Sequence, residues 1–153
     1  MYKYLLFVFG LLSASLSWSA KAPSINELNS CLALVDFVDI KLDEFADHYS
    51  SNDMFVVHKG LSAYSQFLQH EMITPKLVSM YGGNHTQAKL MQTLFDRQRK
   101  SFLQNLNDRY SEQKLLTEYA ASINDCRAKT RMKADTAKAL DSAITAMIRM
   151  ARA

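Results

Sequence analysis

The chain has 153 residues, 48% hydrophobic and 22% charged, with a formal net charge of +3, two cysteines, four glycines and two prolines. A chain this long suits one domain that buries about two-thirds of its unfolded surface. So few glycines and prolines exclude a turn-rich sheet fold, and abundant leucine, alanine, glutamine, lysine and methionine favour helix, so the fold class is all-α.

At the N-terminus a single Lys3 precedes an apolar run, Leu5 to Leu16, followed by small residues. This is the three-part layout of a signal peptide, and it is shorter than the roughly 20 apolar residues of a membrane span. Residues 1–20 are therefore expected to be a leader, with the mature chain starting near Ala20 or Lys21. Export to an oxidising compartment makes Cys31 and Cys126 most simply a disulfide. The "LNSC" stretch at 28–31 lies too far from the apolar run to be an acylation box, and no C-x-x-C spacing exists for a redox pair.

The first helix starts at "SINE", where Ser24 and Glu27 form a capping box. Ile25, Leu28, Leu32, Val35, Val38, Leu42, Phe45 and Tyr49 then recur at threes and fours on one face. "SSND" at 50–53 is a turn, with Asn52 or Asp53 capping a second helix whose stripe is Val57, Leu61, Tyr64, Leu68 and Met72. Pro75 should kink or end that helix, and "YGGN" at 81–84 is the strongest stop signal.

A third helix, capped by Asn84 or Thr86, turns Ala88, Met91, Phe95, Phe102 and Leu106 inward, and the pattern stutters around 107–111. A fourth carries Leu116, Tyr119, Ile123 and Cys126. In an up-down bundle of four to five helices, the start of the first helix and the end of the fourth share one end. That places Cys31 beside Cys126, a staple between first and fourth helices. Residues 21–130 form this bundle domain, and 131–153 a basic amphipathic C-terminal helix that continues from it or packs on it. No glycine or proline separates that tail from the fourth helix, so the sequence permits one helix from about 112 to 150. Its apolar stripe then needs a cover: the bundle itself, a partner or second copy, or an anionic membrane surface.

Charge is unevenly placed. Residues 24–53 hold seven acids against one lysine, and residues 127–153 hold seven bases against two acids. Asp36, Asp39, Asp43 and Asp47 form an acidic ridge on the first helix, where like charges four residues apart repel by a few tenths of a kcal/mol. The tail offers Lys138 and Arg149 as cations and Ile144 and Met147 as apolar anchors. These eight residues are the candidate interface.

Catalytic and metal motifs are missing from the sequence. It contains no G-x-S-x-G, glycine-rich phosphate loop, H-E-x-x-H, C-x-x-C-H or Glu-x-x-His. Glu44, His48 and His58 form only a weak zinc arrangement, and the four aspartates do not converge on one ion. No enzyme activity, cofactor, metal or nucleic-acid partner is expected. The expected role is a periplasmic or secreted accessory protein, inhibitor-like or immunity-like, that binds an envelope protein or itself. The alternative is a carrier of a small apolar ligand or haem between helices near Pro75, where Tyr64, Phe67 and Tyr81 gather.

Overall fold

The computed structural model describes residues 22–110 and 116–152, and the expected leader, 1–20, lies outside them. The described residues form five helices and no strand. Helix α1 (Ile25–Glu44) begins at the expected capping box: Ser24 Oγ accepts from the Glu27 N–H at 3.2 Å, and the Glu27 carboxylate accepts from the Ser24 N–H at 2.8 Å. It stops short of Phe45 and Tyr49. There a 3₁₀ turn, Ala46–His48, tightens the chain through bonds from His48 N to Phe45 O and from Tyr49 N to Ala46 O.

Helix α2 runs Ser51–Gln66, widens into a π-helix over Phe67–Ile73 and resumes as Thr74–Met80. Its cap is Ser50, which accepts from the Asp53 N–H at 3.1 Å, and not Asn52 or Asp53 as expected. Pro75 neither ends nor breaks the helix. A proline ring collides with the carbonyl four residues back, and the wider π turn immediately before Pro75 relieves that collision. The helix ends at Gly82 and Gly83, whose φ of 58° and 85° require residues without a Cβ.

Helix α3 (His85–Arg109) is capped by Asn84, and only Ala88 along its length is fully buried. Helix α4 (Leu116–Ala128) and helix α5 (Ala134–Met150) are separate, so of the two arrangements the sequence permits, the tail packs on the bundle. Thr130 makes the break: its hydroxyl donates to the Arg127 carbonyl at 3.0 Å and stands 3.4 Å from the Tyr64 hydroxyl. The chain turns back there, and α5 lies along α2.

That α2–α5 seam is the most extensive helix pair in the molecule. It is antiparallel, with Asp53 paired to Arg149 at one end and Glu71 to Lys133 at 3.0 Å at the other. Gly60 lets the backbones close: a Cβ there would land on the Ala139 carbonyl and the Ala143 methyl. Leu140, Ala143, Ala146 and Met147 are completely buried against it. Helix α1 runs through the middle of the single core, antiparallel to α2 and α4. The staple is formed: Cys31 and Cys126 are bonded at 2.08 Å with alpha carbons 5.7 Å apart, tying α1 to α4. A formed disulfide implies an oxidising, extracellular-type compartment.

Candidate ligand groove

Helix α3 packs Ala88, Met91, Phe95, Leu103 and Leu106 on the core, and polar side chains tie its first two-thirds to α1 and α2. The Asn29 amide donates to the Phe95 carbonyl at 2.9 Å, and Arg99 reaches Asp36 of α1 at 3.5 Å. Arg99 also donates to Gln69 of the π stretch at 3.2 Å, and Gln69 donates to Gln92 at 3.0 Å. Asn29 opposite Phe95 and Asp36 opposite Arg99 make α1 and α3 run in the same sense. Burial pushes the Asp36 carboxyl above the usual carboxylate range, against the pull of Arg99.

Beyond Arg99 those ties end, and α3 and α4 barely touch one another while each leans on α1. A groove of about 820 Å³ is left between them. Its apolar surface comes from Leu34, Phe37, Phe102, Leu106 and Tyr119, with both cysteines in its lining. Glu27, Arg109, Glu118 and Lys129 stand around it as two carboxylates and two cations. Tyr119 packs edge-on against Phe37 at 5.3 Å and against Tyr110 at 6.5 Å. Its hydroxyl has no hydrogen-bond partner among the described residues, and burial raises its pKa, which keeps it a neutral phenol.

The eight candidate interface residues are not gathered into one surface. Asp36 belongs to the Arg99 network. Asp39 and Asp43 face the two ring nitrogens of His58, at 2.6 and 3.1 Å. Asp47 is exposed in the 3₁₀ turn, and Lys138 is exposed on α5. Ile144 is half-buried against the core, and Arg149 is paired with Asp53. Arg149 and the Ser50 hydroxyl hold the Asp53 carboxyl below its usual range. Met147 has 0% exposure, so it is a core residue and not an anchor for a partner.

The other sequence candidates are also engaged elsewhere. Glu44 pairs with Lys41 at 2.7 Å, His48 lies against the Phe45 ring, and His58 points to its aspartates. Among the described residues no three metal-ligating side chains converge. Near Pro75, Tyr64 and Phe67 stack on each other at 6.2 Å and are buried, so that aromatic cluster fills its own space. A groove of about 820 Å³ lies instead on the disulfide side. Phe102, Leu106 and Tyr119 are legible in the sequence as inward-facing positions, but their incomplete cover depends on how α3 leans. No described helix is long and apolar enough to cross a membrane. No protein-family model, curated protein or solved structure matches the chain.

Proposed function

We propose that this is a periplasmic or secreted, non-enzymatic binding protein that holds a small apolar molecule in the groove between α1, α3 and α4. The observation that carries this reading is the groove itself. Its volume of about 820 Å³ falls within the range of small-molecule sites. Aliphatic and aromatic side chains line it, and its charges stand in equal number of each sign. The signal-peptide pattern of residues 1–20 supports export, as does the disulfide. Docking a protein partner through the acidic ridge or α5 ranks second. Asp36, Asp39, Asp43 and Arg149 are already paired within the fold, leaving Asp47 and Lys138 as its charges without an ion pair among the described residues.

The test is titration of the oxidised protein with N-phenyl-1-naphthylamine, a neutral apolar dye that brightens out of water. Saturable brightening is expected in the wild type. Ser122, exposed and lining the groove, gives the blocking variant Ser122→Trp, expected to lose at least about tenfold in dye affinity at unchanged thermal midpoint. Dye binding that is absent, or indifferent to Ser122→Trp, rejects the groove as the site.

A further inference from the structure

Helix α3 is unusual on its outward side as well as its inward one. Leu90 and Leu94, one turn apart, are 64% and 47% exposed. Lys89, Arg97 and Lys100 are exposed around them, and none pairs with a carboxylate among the described residues. The one acid in this stretch, Asp96, is half-exposed and engaged by Gln92 at 2.9 Å and Arg99 at 3.5 Å. Elsewhere Lys41, Arg127, Lys133 and Arg149 each meet a carboxylate of the same fold, while others such as Lys59, Lys129, Arg131 and Lys138 meet none among the described residues. The outer face of α3 thus concentrates three uncompensated cations and two bare leucines within about three turns, or roughly 17 Å.

We infer that this face docks the protein on an anionic lipid surface. Two leucines on a convex helix enter the boundary between headgroups and acyl chains, while flexible cations on either side meet lipid phosphates. Charge complementarity selects this occupant. The cations are exposed and spread along one helix face, which matches a diffuse negative surface better than one acidic side chain. Because Phe102 and Leu106 lie further along the same helix, docking brings the α3 wall of the groove close to the lipid. The inference does not depend on the groove being occupied, since it rests on the opposite half of the helix.

The experiment is flotation of the full mature, oxidised protein with two kinds of vesicle. One is about one-third phosphatidylglycerol in phosphatidylcholine, the other phosphatidylcholine alone. Expected is binding to the anionic vesicles at low salt, at least about tenfold weaker binding to the neutral ones, and loss near 0.5 M salt. Lys89→Glu combined with Lys100→Glu should abolish flotation. Leu90→Ser combined with Leu94→Ser should weaken it about tenfold, and both pairs should keep the wild-type helical circular dichroism and dye affinity. Equal binding to both vesicles, no flotation, or flotation that survives the charge reversal overturns the inference. So does a co-purifying acidic protein lost with the leucine pair while vesicles are ignored. A result of that kind leaves the groove reading standing, because dye binding reports on it separately.

Discussion

Along the α2–α5 seam, Gly60 meets Ala139 and Ala143, the side chains between the helices are aliphatic, and ion pairs close both ends. Helix α3 is tied to α1 by Asn29 and the Arg99–Asp36 pair and to α2 by Gln69, beside the half-buried Met91, Phe95, Leu103 and Leu106, and beyond Arg99 it lies apart from α4. The seam obtains its stability from close backbone approach and removal of apolar surface from water. The α1–α3 contact obtains position and orientation, because hydrogen bonds hold a helix at defined points without requiring cover along its whole length. One side of the molecule is closed by backbone contact, with grooves of about 460 and 400 Å³ flanking the seam, and the other side keeps the groove of about 820 Å³.

The largest expected effect is on the covalent brace beside that larger groove. Replacing Cys31 and Cys126 by serine removes a cross-link spanning 95 residues, and the loss in urea unfolding should approach 4–5 kcal/mol. Dye affinity should fall with it, since both cysteines line the groove. Next comes the seam: Gly60→Val forces α2 and α5 apart and should cost about 3 kcal/mol. A cost under about 0.5 kcal/mol would mean that the two backbones are not in contact.

The smallest effects sharpen the contrast by pH. On the seam, the Asp53 carboxyl is held below its ordinary 3.8, so its stabilising pairing with Arg149 is present above 3.8 and lost as pH falls through the lowered value. In the α3 network, the Asp36 carboxyl is raised, so the fold loses stability as pH climbs from 3.8 through the raised value. Urea midpoints across the acid range should therefore show Asp53→Asn removing a rising slope below 3.8 and Asp36→Asn removing a falling one above it. The Asp36 effect should stay below about 1 kcal/mol. Slopes of the same sign for both variants would contradict this division.

Helix phase and the first helix's cap were legible because they are local, although the cap of α2 fell at Ser50 and not at Asn52 or Asp53. Ser24 with Glu27, and the two glycines at 82 and 83, carry their conformational instructions within a few residues. The disulfide was legible because export and bundle topology point independently to the same pair. The break before α5 was not: the apolar stripe stays almost in phase through residues 129–133, and Thr130 stops the helix using a carbonyl in its own chain and a tyrosine on α2. The π turn was hidden for a similar reason, since Pro75 announces a disturbance without saying whether the helix ends or absorbs it. The acidic ridge read as a free surface because the partners of Asp36, Asp39 and Asp43 lie on other helices, Arg99 and His58. The groove depends on where the polar ties of α3 stop, a property of three helices together.

The seam also has a consequence in time. Its two halves are far apart along the chain, with Gly60 of α2 well before Ala143 of α5 and two further helices between them. A chain emerging N-terminus first carries the apolar face of α2 uncovered until α5 arrives, however well the intervening helices have formed. Closure of so distant a pair is slow compared with helix formation. The polypeptide therefore reaches its sealed state only after α5 has been delivered. Until then α2 presents a sticky surface that a holding chaperone would recognise and a protease could reach, and loss of the final turns would leave that surface open permanently.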